Sequence, residues 1–170
     1  YILFGLVKAQ QSGVFVEDTV IQSARGYLLA TLPAVDMLTE NWQYDQLAFR
    51  YFALTEAGID VSTGMADLIP YSSQISPANQ ALLALALEVQ EPGNEHTRTL
   101  LSNLVGSAIR TATGAHWENP ESCRCWLNNT VTTTAIVNYA LARSQEFDDI
   151  LPEAVRYLVA SIDTQQEDKL

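Results

Sequence analysis

Apolar residues recur at helical spacing along almost the whole chain, and no stretch alternates between apolar and polar residues for long enough to predict a sheet. Between residues 18 and 32, for example, Ile21, Ala24 and Leu28 would share one face of a helix. The pattern predicts eight helices, over residues 1–11, 18–32, 44–57, 62–73, 77–90, 95–113, 129–144 and 149–165. The chain is therefore predicted to be all-α.

Residues that start and stop helices support these bounds. Ser76 would cap the fifth helix, and Pro77 takes the first helical position, where the N–H that proline lacks has no helical partner. Asp18 would cap the second helix in the same way. Pro70 is expected to kink the fourth helix or to end it early, because proline inside a helix removes a hydrogen bond.

The odd-numbered helices resemble one another. They are rich in Ala, Leu and Thr, and they carry similar four-residue segments near their ends, at residues 6–9, 54–57, 83–86 and 139–142. Such helices should be buried on several sides, whereas the even-numbered helices are more amphipathic. Buried helices covered by amphipathic ones are typical of an α/α toroid or a curved α-solenoid. We therefore predict a single domain over residues 1–170, with its eight helices arranged as four pairs of an α/α toroid.

Composition and charge narrow the classes of function. With 48% apolar residues in a chain of 170, a sizeable core can form. The net charge of −11 would repel nucleic acids and anionic membrane surfaces. The longest apolar runs, such as residues 81–87, are far too short to cross a membrane. Because the sequence begins at Tyr1 within a helical pattern and without an initiator Met, we expect it to be a fragment of a longer protein.

Two cysteines, Cys123 and Cys125, are separated by one residue. A disulfide between such near neighbours is strained, so free thiols are expected. Metal binding would require further ligands, and the nearest candidate, His116, has no second pair beside it. We predict neither a metal site nor a cofactor.

Paired carboxylates are the acid and base of most glycosidases, some of which are α/α toroids. The chain offers two pairs, Glu17 with Asp18 and Asp148 with Asp149. Both precede helices, where free N–H groups and the helix dipole favour negative charge, so capping explains them without an active site. The acidic metal-binding motifs of terpene cyclases and the zinc ligands of protein prenyltransferases, which share the toroid, have no counterpart in the sequence.

The chain has two histidines, His116 and His96, that could belong to a catalytic triad. A triad needs a nucleophile beside the histidine, and Cys123 follows His116 in a predicted loop of undetermined geometry. In the structural alternative, His116 and Trp117 close the corner between the sixth and seventh helices, with the indole on apolar surface and its N–H bound to a carbonyl. We favour this alternative and predict no catalytic residue.

Two polar patterns surround the start of the seventh helix. Thr132, Thr133 and Thr134 could form a hydroxyl-rich site, but in a buried helix their hydroxyls can bond back to the preceding turn, so packing is predicted. Residues 128–130, Asn-Asn-Thr, fit the glycosylation acceptor pattern, which matters in a secreted protein of a glycosylating organism.

Several segments share an order and spacing that point to a known family. Residues 115–120, Ala-His-Trp-Glu-Asn-Pro, lead through a loop into a Thr- and Ala-rich helix over residues 130–142, and Val-Arg-Tyr-Leu follows at residues 155–158. Together with residues 1–13 and 49–58, they resemble the inner helices, corner and last helix of the thioester-containing domain of the α2-macroglobulin and complement family, in particular its bacterial members. The resemblance covers essentially the whole chain.

The resemblance implies a larger α/α toroid, set in a secreted or cell-envelope protein that traps proteases. In the family, an internal thioester between Cys and Gln of a Cys-Gly-Glu-Gln-type motif acylates the attacking protease. No Cys-x-x-Gln occurs in this sequence. The thioester motif is expected upstream of Tyr1, so the resemblance implies that the chain is the C-terminal portion of the domain. The strand-turn segment that usually follows the last helix is also missing, so the ring is expected to be incomplete.

The function implied by the resemblance is therefore that of a non-catalytic fragment of a protease-trapping inhibitor, located outside the cell or in its envelope. Its partners would be proteases, bound through the full-length protein, and neighbouring domains of that protein. Exposed apolar flanks at the first and last helices would favour self-association. The alternatives are a toroid enzyme resembling glycosidases or terpene cyclases, and an envelope scaffold or interaction domain.

Overall fold

The computed structural model describes residues 1–119 and 129–167. Its helices are α1 Ile2–Gln11, α2 Asp18–Ala30, α3 Asn41–Glu56, α4 Ser62–Leu68, α5 Pro77–Gln90, α6 Glu95–Gly106, α7 Thr130–Ser144 and α8 Leu151–Glu167. Two short 3-10 helices, Val35–Met37 and Ile69–Gln74, and two strands, β1 Ile109–Thr111 and β2 Gly114–His116, complete the described elements. The predicted all-α fold class is confirmed.

The odd-numbered helices form an inner row in which α1 packs on α3, α3 on α5 and α5 on α7. The even-numbered helices cover this row: α2 packs on α1, α4 on α3 and α5, α6 on α5, and α8 on α7. This alternation of inner and outer helices is the arrangement of helix pairs in an α/α toroid, as the burial pattern of the sequence predicts.

Helix α5 lies at the centre of the fold, between α3 and α7. Its sequence alternates small and large apolar side chains, and Ala81, Leu83, Ala84 and Leu87 are all buried. Alanine lets neighbouring helices approach closely, while each leucine removes apolar surface from water and fills the space between them. The inner row therefore provides most of the core.

The structure contradicts the predicted sixth helix, because α6 ends at Gly106 and does not continue to residue 113. Strands β1 and β2 follow as an antiparallel hairpin, in which Ile109 pairs with His116 and Thr111 with Gly114. The β-branched Ile109 and Thr111 favour an extended backbone. Gly114 has a φ of +132°, which L-residues with a side chain rarely adopt. The prediction that no segment forms a sheet is therefore wrong here.

The residues predicted to start or stop helices have the predicted role at some positions and not at others. Pro70 ends α4 early and lies in a 3-10 helix, as predicted. Ser76 and Pro77 occupy the cap and first positions of α5, but the Ser76 side chain makes no capping bond. The cap predicted at Asp18 is wrong: Glu17 precedes α2, and Asp18 Oδ1 instead accepts a hydrogen bond of 3.0 Å from Gln10 Nε2. The Ser76 side chain bonds to Asp45 of α3, and the Asp18 side chain bonds to Gln10 of α1. Each side chain thus contacts another helix instead of capping its own.

Helix α3 starts at Asn41, earlier than predicted. Gln43 Oε1 accepts hydrogen bonds from the backbone N–H groups of Thr39 and Glu40, at 2.8 and 2.9 Å. These bonds fix the chain before the first turn and extend the helix toward its N-terminus.

Along residues 1–119 and 129–167, we find no helix with both the length and the apolar character needed to cross a membrane.

Candidate functional site

The corner between α6 and α7, residues 107–119, is built around the hairpin, which lies against α8. A Cβ atom at Gly114 would lie 2.8 Å from the backbone nitrogen of Tyr157 and would also meet the carbonyl oxygen of Glu153. The Glu153 side chain pairs with Arg110 Nε at 3.3 Å. The absence of a side chain at residue 114 is thus a requirement for the contact between hairpin and helix.

Trp117 joins three elements at this corner. Its side chain is 1% exposed, and its indole Nε1 donates a hydrogen bond of 2.7 Å to the backbone carbonyl of Leu104 in α6. Its backbone N–H donates to Thr134 Oγ1 of α7 at 3.2 Å. The predicted role of Trp117, an indole on apolar surface with its N–H bound to a carbonyl, is confirmed.

His116 packs at the same corner, with 7% of its surface exposed. Its ring stacks on Tyr157 of α8, with centroids 4.4 Å apart and 16° between the planes. Nε2 lies 3.3 Å from Glu118 Oε1, while Nδ1 is buried without a hydrogen-bond partner. His96 is in the first turn of α6, where its backbone N–H donates to Asn94 Oδ1. His116 is thus packed within the corner, and His96 lies in the first turn of α6.

Three residues of the predicted polar patterns, Cys123, Cys125 and Asn128, lie outside the described residues. The hypothesis of a triad between His116 and Cys123 therefore stays untested, as does the glycosylation pattern.

The threonines at the start of α7 are part of the packed corner. Thr133 and Thr134 are fully buried, which confirms their predicted packing role. The Thr134 hydroxyl accepts from the Trp117 backbone N–H, so this hydroxyl joins α7 to the corner. Asn129 caps the helix, since its Oδ1 accepts from the backbone nitrogens of Val131 and Thr132 at 2.9 and 3.2 Å.

The structure does not bring the two pairs of carboxylates together. Glu17 and Asp18 lie at the start of α2, which packs on α1 at one end of the inner row. Asp148 and Asp149 lie in the turn before α8, which packs on α7 at the other end. Acid and base would have to face one substrate bond, and these pairs do not.

A buried carboxylate that sequence reasoning missed is Asp45 of α3, which is 5% exposed. Its Oδ1 accepts a hydrogen bond of 2.7 Å from the backbone nitrogen of Ser76, and the side chains of Ser76 and Asn79 also bond to it. Asp45 thus satisfies the start of α5 from a neighbouring helix. Burial raises the pKa of the Asp45 carboxyl above its ordinary value, although the hydrogen bonds from Ser76 and Asn79 lower it.

The raised pKa of Asp45 predicts a pH dependence of stability. A carboxyl with a raised folded-state pKa contributes stability below its unfolded value of 3.8, and this contribution is lost as the pH rises through the folded-state pKa. Asp45→Asn removes the ionisation and keeps an acceptor for the Ser76 N–H. We expect the free energy of unfolding of Asp45→Asn, relative to the unmodified chain, to increase from pH 4 to pH 7 in urea titrations.

Asp60 provides a matched control for this titration. It is exposed, and hydrogen bonds from Ser62 lower its pKa, so its contribution to stability is present above the unfolded value and is lost on acidification. Asp60→Asn should therefore show the opposite trend. Parallel curves for Asp45→Asn and the unmodified chain would contradict the assignment.

A cavity of about 160 Å³ opens between the inner helices and α6, and we name it the axial cavity. Its wall is largely apolar and includes Phe4, Phe52, Ala84, Leu85, Leu101 and Ala140. Its charged residues are Lys8, Glu56, Glu88 and Arg143, of which Lys8 and Glu56 form an ion pair. Two carboxylates therefore line the cavity, but one of them is neutralised by a neighbouring lysine.

In the part of the chain that the structure describes, no group of three or more His, Cys, Asp or Glu side chains is placed to hold a metal ion.

Comparisons with known proteins identify the fold. No protein-family model matches the sequence. Among curated proteins, none is significantly similar in sequence. The chain is similar to a solved structure, the crystal structure of Salmonella α2-macroglobulin reacted with methylamine, with a TM-score of 0.67 and 16% sequence identity. The similarity covers 96% of this chain and 10% of that chain, so the chain spans about a tenth of the length of that protein.

This similarity establishes the architecture as that of a helical domain like the one in α2-macroglobulin. The predicted toroid-like fold is therefore confirmed.

Proposed function

We propose that the chain is a non-catalytic domain of an α2-macroglobulin-like inhibitor that traps proteases. The observation that carries the proposal is the shared fold with Salmonella α2-macroglobulin over 96% of the chain. The same family was indicated by the order of the corner and helix motifs in the sequence. A feature of the sequence and a feature of the structure thus support the same function.

The chemistry of the corner agrees with a structural role. The indole nitrogen of Trp117 is bound to Leu104 and its backbone nitrogen to Thr134, so both N–H groups of this residue are used to hold helices together. A group that holds the fold in this way is not available to a substrate. The corner supports the ring, and covalent capture, where it occurs, would use residues elsewhere in the complete protein.

A toroid enzyme is the competing class, and the axial cavity is where its acid and base would lie. Glu56 there is paired with Lys8. Glu88 Oε2 accepts a hydrogen bond of 3.4 Å from the backbone nitrogen of Gly93, at the turn before α6. Each of the two carboxylates is therefore engaged by a neighbouring group of the fold. The inhibitor proposal is preferred for this reason.

The proposed partners are proteases, held by the complete protein outside the cell or in its envelope, and neighbouring domains of that protein. The outer face of α8 supports the second of these. Val155, Val159 and Ile162 follow one face of that helix, at i, i+4 and i+7, and each is about half exposed, between 47% and 58%. An apolar stripe of this kind is commonly covered by another protein surface.

A capture experiment tests the proposal. The product of the complete gene that encodes this chain is incubated with trypsin, and complexes are separated on native and denaturing gels. We expect trypsin to migrate with the large protein on the native gel, whereas serum albumin, used as a control, does not. If the gene encodes a Cys-x-x-Gln motif, a complex should also survive denaturation, and pretreatment with methylamine should abolish it.

Substitutions in the corner test whether capture of trypsin depends on this domain. Trp117→Ala in the complete protein should reduce capture, because it weakens the ring, while Trp42→Ala should not, since Trp42 is 41% exposed. Free trypsin on the native gel at every ratio of the two proteins would refute the proposal.

A further inference from the structure

Exposed apolar side chains are concentrated at the two ends of the row of helix pairs. At one end, in α1, α2 and the segment between them, the most exposed are Ile2, Phe15 and Tyr27, at 79%, 87% and 70%. At the other end lies the apolar stripe of α8. Within the described residues, the outer helices α4 and α6 of the middle pairs expose no large apolar side chain. Helical repeat proteins normally end in repeats with a polar outer face, whereas the end pairs of this chain are its most apolar surface.

The free side of α1 has the form of a helix-packing surface. Phe4 contacts Phe49 of α3, with ring centroids 6.5 Å apart, and the helical period places Ile2 and Ala9 on the opposite side of α1. Gly5, close to them, is exposed, and a Cβ atom there would meet no atom within 4 Å. Glycine inside a helix costs stability, and it is commonly found where another group approaches the backbone closely. This uncharged side of α1 can therefore accept a second helix at short range.

The free side of α7 has a matching composition. Val137 and Leu141 are fully buried. The helical period places Ala135 and Ala142 on the opposite side of α7, where both are exposed. This side is likewise built from small uncharged residues.

The apolar stripe of α8 is turned away from the hairpin. Tyr157 stacks on His116 of β2, and the backbone of Glu153 lies beside Gly114. Val155 and Val159 each follow one of these α8 residues by two positions, which places them on the far side of the helix. The stripe thus continues the uncharged surface at this end of the row.

The contacts inside the row indicate what kind of element covers such sides. Helices α3 and α5 each pack between two inner helices, whereas α1 packs on α3 and α7 packs on α5. Ala81 and Ala84 of α5 are almost completely buried in the row. The free sides of α1 and α7 offer the same small residues to one further inner helix each. A second copy of the chain supplies both helices, because its α1 can continue the row after α7.

We propose that copies of this chain associate end to end, with α7 and α8 of one copy packed against α1 and α2 of the next. The contact is heterologous, since it uses two different surfaces, so each dimer keeps one free end of each kind. Two copies that each carry a net charge of −11 repel one another. Burial of apolar surface is therefore the driving force, and added salt should strengthen association by screening the repulsion.

This inference does not depend on the trapping of proteases. A neighbouring domain of a longer protein is the competing occupant of the α8 stripe, and the experiment separates the two. Sedimentation velocity of the unmodified chain is measured from micromolar to millimolar concentration, at low and at high NaCl. We expect the weight-average mass to rise with protein concentration, and to rise at lower concentration when the salt is high.

Two variants each block one end. Ile2→Glu places a charge on the free side of α1, and Val159→Glu places one on the stripe of α8. Each should weaken self-association at least about tenfold, because its charge would be buried in the contact. Val89→Glu is the matched control, since Val89 of the middle helix α5 is as exposed as Val159, at 53% and 54%, and it should associate like the unmodified chain. Far-UV circular dichroism checks that all three variants are folded.

Mixing the two blocked variants tests the heterologous contact. Ile2→Glu retains a functional α7–α8 end and Val159→Glu retains a functional α1–α2 end, so the mixture should form a one-to-one dimer and nothing larger. A mixture that associates no better than its components would overturn the proposal, as would self-association of either variant at the strength of the unmodified chain. A chain that stays monomeric at every concentration would also overturn it, and it would leave the α8 stripe to a neighbouring domain without affecting the proposed inhibitor function.

Discussion

Replacing Trp117 with alanine is expected to lower the free energy of unfolding by roughly 3–5 kcal/mol. The indole is 1% exposed, so its removal leaves a large cavity between α6, α7 and the hairpin. The change also removes the hydrogen bond from Nε1 to the Leu104 carbonyl. Because small domains are stable by only about 5–15 kcal/mol, this single change should remove a large part of the stability. Urea titration followed by far-UV circular dichroism measures the difference.

Two further variants define the origin of this loss. Trp42→Ala removes a tryptophan that is 41% exposed, and it should cost less than about 1 kcal/mol. Trp117→Phe keeps most of the apolar volume but removes the N–H donor, so we expect an intermediate cost of about 1–3 kcal/mol. Equal costs for Trp117→Ala and Trp42→Ala would show that the corner does not hold the fold.

Replacing Gly114 with alanine should cost about 3 kcal/mol, from backbone strain at positive φ and from overpacking. The φ of +132° is unfavourable for any residue with a Cβ atom. The added methyl group would also press on the backbone of α8 at Glu153 and Tyr157, and neither atom belongs to a flexible side chain. The hairpin would have to move away from α8, and thermal and urea unfolding should both report the loss.

Gly26 supplies the matched control for this substitution. It lies within α2, has no positive φ, and has no neighbouring atoms within 4 Å of an added Cβ. Alanine is the better helix former, so Gly26→Ala should raise stability by roughly 0.5–1 kcal/mol. The two glycine variants are therefore expected to change the free energy of unfolding in opposite directions. Destabilisation by both to a similar extent would contradict the account of the corner.

Much of the fold could be predicted from local patterns. The inner helices are recognised by their Ala and Leu content, and the end of α4 by Pro70. The role of Trp117 was predictable, because a buried indole between two helices needs an acceptor for its N–H, and the last carbonyls of the preceding helix lack the usual partner four residues on. These features depend on residues that are close in sequence.

The features that were missed depend on distant residues. The hairpin has only three residues in each strand, which is too short for an alternating pattern, and it is held by α8 later in the chain. Asp45 looks like a surface residue of a helix until Ser76, from another helix, is placed beside it. The axial cavity likewise combines Thr97 and Arg143 from different helices. No local pattern encodes such contacts.

The most direct test of the proposed function measures the activity of a trapped protease on substrates of two sizes. Trypsin is mixed with an excess of the product of the complete gene, and cleavage of casein and of a small chromogenic peptide is followed in parallel. A protease-trapping protein should protect casein, because the large substrate is excluded, and should leave much of the cleavage of the small peptide intact. Undiminished cleavage of both substrates would contradict the account.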